Sequence, residues 1–149
     1  MRQEPPGSRA GRLLRVEYWE HVGEATGLGD LGPVPAGDEV DLAPPRGTFV
    51  VAAVDGVDTG CVGGRLLDGG RAEVKRLYVA PRGQGRGLGR ALLRAVAEWA
   101  REQGASELVL DTHGALTAAR RLYAAEGFTE VDPYNDNADA QHWFARPLT

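Results

Sequence analysis

The chain has one cysteine, Cys61, among its 149 residues, so no internal disulfide can staple it. A lone thiol fits a reducing compartment, and the reading is cytoplasmic. Lysine is almost absent: Lys75 is the only one, and arginine carries nearly all the positive charge. That bias reads as the codon usage of a GC-rich bacterial genome. Long apolar runs are missing, and nothing approaches the ~20 residues of a membrane helix. The first residues carry charges and prolines rather than an apolar stretch, so they do not read as a signal peptide. Net basicity is lacking too. A formal charge of −4 argues against a general nucleic-acid binder. The three histidines have no metal-ligand spacing, so no metal is expected. No internal repeat is visible.

What remains is a chain of ordinary single-domain length, 42% hydrophobic, large enough for a core of its own. One domain over residues 1–149 is expected, with 1–7 loose or short. Ser8 is placed to cap a helix over 9–22, with Leu13, Leu14, Val16, Tyr18 and Trp19 on one face and Gly23 as its end. Residues 23–47 are rich in glycine and proline and read as a long loop with at most one helical turn. From Thr48 the pattern turns to β. The runs 49–54, 59–67 and 71–79 are separated by the turn signals Asp55-Gly56 and Asp68-Gly69-Gly70, which predicts an antiparallel meander.

In the third strand Val74 is apolar at an even position, Leu77 and Val79 at odd ones. Alternate strand residues share a face. Either a β-bulge near Lys75–Arg76 switches the phase, or Val74 lies on a less buried face. A helix follows over 87–103, with Leu88, Leu92, Val96 and Trp99 as its stripe, then a strand at 108–110 and a helix over 115–126. Strands at 128–131 and 141–146 close the chain. A strand, a helix and another strand in succession predict a parallel crossover, hence a mixed α/β sheet with helices on its faces.

The densest pattern joins the third strand to its helix. Glycines at 83, 85, 87 and 89 alternate with Arg82, Gln84, Arg86, Leu88 and Arg90. Glycine permits φ > 0 and close approach of a ligand, and a helix start offers free N–H groups. Together they suit a phosphate. The Gly-x-Gly-x-x-Gly frame fails from Gly83, where the sixth position is Leu88, and from Gly85, where it is Arg90. No Gly-Lys-Ser/Thr is present, which removes the P-loop. The frame that does fit is Gln84-x-x-Gly87-x-Gly89.

That hexad resembles the pyrophosphate-binding motif of the GNAT N-acetyltransferases. The resemblance covers residues 48–149: Glu73–Val79 is similar to the family's central strand, Leu122-Tyr123-Ala124-Ala125-Glu126-Gly127-Phe128 to its late motif, and Trp143–Leu148 to its last strand. It implies the acyl-CoA N-acyltransferase fold: a mixed, mostly antiparallel sheet with helices on both faces and splayed central strands. Two departures stand out. The family's opening strand has little room before residue 8, and the Asn that many members place seven residues before the tyrosine is Leu116 here.

The resemblance also implies the site. Acetyl-CoA would be the co-substrate. Its pantetheine arm would lie on the backbone of Leu77, Tyr78 and Val79, with the Val79 N–H as oxyanion donor. Its diphosphate would be wrapped by Arg82, Gln84, Gly85, Arg86, Gly87, Leu88, Gly89 and Arg90. Tyr123 reads either as a core aromatic or, following the family, as the general acid for the leaving thiolate. Glu73 is either an ion-paired carboxylate or the base, with Asp111, His113 and His142 as rivals. Cys61 reads as a small packed residue. The first helix and the 23–47 and 132–140 loops would form the acceptor site, with Tyr18, Trp19 and Tyr134 lining it. The loop acids Asp132, Asp136 and Asp139 either favour a cationic amine there or are simply solvated. The expected reaction is acetyl transfer to a primary amine of a small molecule. Protein N-termini or lysines are the alternative acceptors, and a CoA-binding sensor without turnover is the alternative of another class. No nucleic-acid or membrane partner is expected, and a homodimer is compatible with the pattern.

Overall fold

The computed structural model describes residues 1–148; Thr149, the end of the stretch similar to the family, lies outside them. Seven strands form one sheet in the order β1-β2-β3-β4-β5-β7-β6. They are β1 (Arg2–Gln3), β2 (Gly47–Val54), β3 (Val57–Leu66), β4 (Arg71–Val79), β5 (Glu107–Thr112), β6 (Thr129–Val131) and β7 (His142–Pro147). The helices are α1 (Arg9–Thr26), α2 (Asp38–Asp41), α3 (Leu88–Glu102) and α4 (Thr117–Ala125). β2, β3 and β4 make the expected meander. β4 and β5 are the one parallel pair, joined through α3. No described helix is long and apolar enough to cross a membrane.

Residues 1–7, expected to be loose or short, contain a short strand. Arg2 and Gln3 pair with Val51 and Val50, so a two-residue opening strand is present. Ser8 does cap α1, accepting from the Gly11 N–H at 3.0 Å. However, α1 runs through Gly23 to Thr26 and ends on Gly27 at φ 74°. Gly23 is there for contact rather than termination: a Cβ would stand 2.0 Å from the Gly29 carbonyl oxygen. The buried face of α1 also differs. Leu14 is buried, while Leu13 and Val16 are exposed. Arg15 takes a core position because the Pro6 carbonyl and Asp38 accept its guanidinium hydrogens.

Two apolar layers sandwich the sheet. Leu92, Leu93 and Val96 of α3 and Tyr123 of α4 pack with Ala72, Val74 and Phe144 on one face. Leu14 and Leu42 pack with Phe49, Val51 and Cys61 on the other. Burying a Leu or Phe side chain contributes about 1.5–3 kcal/mol. β4 serves both layers with a change of phase. Ala72 and Val74 face the α3 layer before residue 75; Leu77 and Val79 face it afterwards, and Tyr78 turns to the other side. The register slips between Cys61 and Gly63, which pair with Tyr78 and Lys75. Arg76 sits at φ 56° inside this bulge. The β-bulge is therefore the cause of the phase break.

Candidate active site

The bulge lies beside a fork in the sheet. β4 pairs with β5 only over Arg71–Glu73. Beyond Glu73, β4 stays with β3, while β5 continues to Thr112 alongside β7. One edge of β4 is thus open from Val74 onward. Strand amides alternate between the two edges. The Ala80 N–H donates to the Thr59 carbonyl of β3, so the Val79 and Leu77 amides point the other way, into the fork. The Val79 carbonyl accepts only a 3.4 Å bond from the Gln84 side chain.

A cavity of about 460 Å³ fills the fork. Val74–Leu77 form one wall and Asp111–His113 the opposite one. Tyr18 and Trp19 of α1 and Leu28 and Leu31 of the following loop close one side. Leu116, just before α4, and Tyr123 within it close another, with Asn137 and Asp139 at the rim. The first helix and the two loops expected to surround an acceptor therefore meet at one place.

Tyr123 is 6% exposed, packed edge-on to Phe128 at 5.7 Å and tilted against Phe144 at 6.0 Å. Burial, then the neighbouring Tyr18 and Asp111, pushes its phenol above the ordinary range, so it keeps its proton. Burial also raises the phenol of Tyr18. Asp111 stands at the fork's β5 side, where Asn135 Nδ2 donates to one carboxylate oxygen at 2.6 Å and Asn137 Nδ2 to the other at 3.2 Å. Trp143 Nε1 holds Asn135 in turn at 2.9 Å. His113 Nδ1 accepts from the Ala115 N–H at 3.0 Å, which leaves the ring's other nitrogen as the proton carrier. His142 pairs with Glu130 outside the cavity.

Glu73 and Tyr134 are placed elsewhere. Glu73 is 1% exposed and does not line the cavity. Its carboxylate accepts from Arg65 at 2.8 Å and from the Tyr134 hydroxyl, and Lys75 Nζ stands 3.8 Å away. Tyr134 stacks under Arg71 and is held to Glu73, away from the cavity lining. Of the loop acids, only Asp139 reaches the cavity. Cys61 is buried, donates its thiol to the Arg76 carbonyl at 3.4 Å, and is pushed upward in pKa by burial.

At the glycine turn, Gly85 and Gly87 adopt φ 79° and 72°, and a Cβ on either would meet nothing. They are needed for backbone conformation. Gly83 and Gly89 are needed for closeness: a Cβ would meet Thr59 at 2.8 Å or Leu122 at 3.0 Å. Gly87 begins α3 without any side-chain cap, and no acid lies in the first turn. The N–H groups of Leu88, Gly89 and Arg90 lack helical partners there, and the helix start carries partial positive charge. Arg86 makes no ion pair among the described residues, whereas Arg82 clamps Glu17 at 3.1 Å and Arg90 faces Glu126 at 3.4 Å.

The sequence model of the Acetyltransferase (GNAT) family matches residues 15–128. The chain belongs to the GNAT acetyltransferase family. This acyltransferase is 34% identical over 128 residues to an uncharacterised N-acetyltransferase of Schizosaccharomyces pombe, covering 85% of this chain and 78% of that one. It is 40% identical over 113 residues to the IAA acetyltransferase of Azospirillum brasilense, covering 72% of each. Its fold matches a GNAT-family acetyltransferase of Staphylococcus aureus with TM-score 0.81 over 95% of this chain and 96% of that one, at 19% identity. Among the acetyltransferase's described residues, no group of three or more His, Cys, Asp or Glu is placed to hold a metal ion.

The sequence missed one element of the site. Asp38 of α2 receives Arg76 Nε and Nη2, each at 3.0 Å, and Arg15 Nη1 at 3.4 Å. Arg76 also lies over the Trp19 ring at 5.3 Å. The bulge residue is thus tied to the first helix and to α2. The only local hint was Arg76 falling at the phase break.

Proposed function

We propose that this acetyltransferase moves the acetyl group of acetyl-CoA to a primary amine of a small molecule by direct attack. The observation that carries the reading is the open β4 edge, with the Leu77 and Val79 amides turned into the fork just before the uncapped glycine turn. The pantetheine arm would lie along Leu77–Val79. Its diphosphate would meet the N–H groups of residues 84–90, with Arg86 free to add charge. The Val79 N–H would stabilise the oxyanion, an interaction preorganised by the strand.

The amine nitrogen bonds to the thioester carbon and the carbon–sulfur bond breaks. Before the attack the ammonium form gives one proton to Asp111, directly or through water, and Asp111 releases it to solvent; the proton displaced on acylation leaves by the same route. We assign that role to Asp111 rather than Glu73, because Asp111 lines the cavity and Glu73 is ion-paired outside it. The departing thiolate takes the Tyr123 proton, and the phenolate is reprotonated from solvent. Burial keeps the phenol protonated until the thiolate forms.

Titrating acetyl-CoA calorimetrically, and following thiol release with a broad amine panel, tests the proposal. Saturable binding and amine-dependent thiol release, with the acetylated amine seen by mass spectrometry, are expected. Tight binding without release from any amine would overturn the transfer reading.

A further inference from the structure

We infer that the acceptor is a monocationic amine on a compact apolar or aromatic body, with no carboxylate beside the nitrogen, and that Asp111 holds its ammonium group. The inference rests on the transfer reading above and adds the chemistry of the acceptor.

Charge pairing is the first reason. Four charged residues line the cavity: Lys75, Arg76, Asp111 and Asp139. Both cations already face carboxylates. Arg76 spends two nitrogens on Asp38, and Lys75 stands 3.8 Å from Glu73. Asp111 has only neutral partners, the amides of Asn135 and Asn137. Amide donors orient a carboxylate without cancelling its charge. Burial chiefly, and Asp111 to a lesser degree, raises the phenols of Tyr18 and Tyr123, which line the same cavity. A half-buried carboxylate of this kind gains from a cation and disfavours a second carboxylate. Asp139 at the rim, with no ion pair among the described residues, has the same sign.

Shape is the second reason. Tyr18, Trp19, Val22, Leu28 and Leu31 close one side of the same cavity, an aromatic and aliphatic wall without a charged residue of its own. About 460 Å³ must also admit the thioester end of the donor, so the acceptor's body is small. The wall suits a ring or short alkyl chain, and the acid suits the amine at its end.

The test pairs ligands that share a body and differ by one carboxylate: phenethylamine and phenylalanine, then isoamylamine and leucine. Their binding to the enzyme saturated with CoA, read by calorimetry, reports the acceptor site without needing turnover. Thiol release with acetyl-CoA reports transfer. Each amine should bind, and react in kcat/KM, at least about tenfold better than its amino acid. Asp111→Asn should weaken amine binding by about 10–100-fold while leaving the acetyl-CoA Kd unchanged. Equal or better performance by the amino acids overturns the inference. So does amine binding that is unaffected in Asp111→Asn. Selective amine binding without thiol release would leave the acceptor class standing and overturn the transfer reading instead.

Discussion

Tyr123 is a core side chain that the proposed mechanism also uses as the proton donor. Its ring packs with Phe128 and Phe144, which alone would explain an aromatic on that helix face. It also lines the cavity, as the proposed acid role requires. Tyr123→Phe keeps the ring packing and removes the proton. It should lower kcat by about 10²-fold or more, with little change in KM for acetyl-CoA. Unchanged kcat across pH would remove the acid role. Glu73 is the opposite case. A carboxylate on the central strand looks available in sequence, yet Arg65 and Tyr134 occupy it and its surroundings exclude solvent. Asp111, four positions after the start of β5, keeps a face toward the cavity because its partners come only from the 132–140 loop.

At the scale of elements, the bulge and the fork act together. One extra residue in β4 turns Leu77 and Val79 toward the α3 layer and places Arg76 at positive φ. A non-glycine residue there is held against its own preference. Asp38 and Trp19 supply the holding contacts. Asp38 is 6% exposed, Arg15 4%, and removing the acid leaves two arginines short of a partner. Asp38→Ala should therefore cost about 3–5 kcal/mol in a denaturant titration. It should also raise KM for acetyl-CoA, because a loosened bulge no longer presents the strand edge. A denaturation midpoint matching the parent's would show that the pair does not hold the bulge. The glycine turn is simpler, since its conformation follows from residues that are neighbours in sequence.

For the whole molecule, buried titratable groups set an alkaline limit. Cys61 and Tyr123 are both raised by burial, so the folded state holds their protons after the unfolded chain has lost them. Stability is then flat below the unfolded thiol pKa of about 8.5 and falls as pH rises past it. The slope should steepen above about pH 10, where each such group contributes about 1.4 kcal/mol per pH unit. Urea titrations from pH 7 to 11 would read this; constant stability to pH 11 would contradict it.

Much of this architecture was legible in the sequence because its signals are local. The meander follows from period-two runs and turn dipeptides. Helix α3 follows from its 3.6-residue stripe, and the bulge from a phase break within nine residues. The alternating glycines, with Gln84, Tyr123 and the last strand in order, were enough to identify the family. The end of α1 was misread because Gly23 is demanded by the Gly29 carbonyl pressing on it, a contact the local pattern does not encode. The sequence left the opening strand between absent and shortened because two residues carry no periodicity, and only pairing with β2 makes them a strand. Which carboxylate faces the cavity was decided by tertiary structure alone. Glu73 meets Tyr134 across 61 positions, Asp38 meets Arg76 across 38, and Asp111 meets Asn135 across 24. Backbone conformation is dictated by neighbours along the chain. The charge left uncompensated in a cleft depends on which distant side chains the fold brings together.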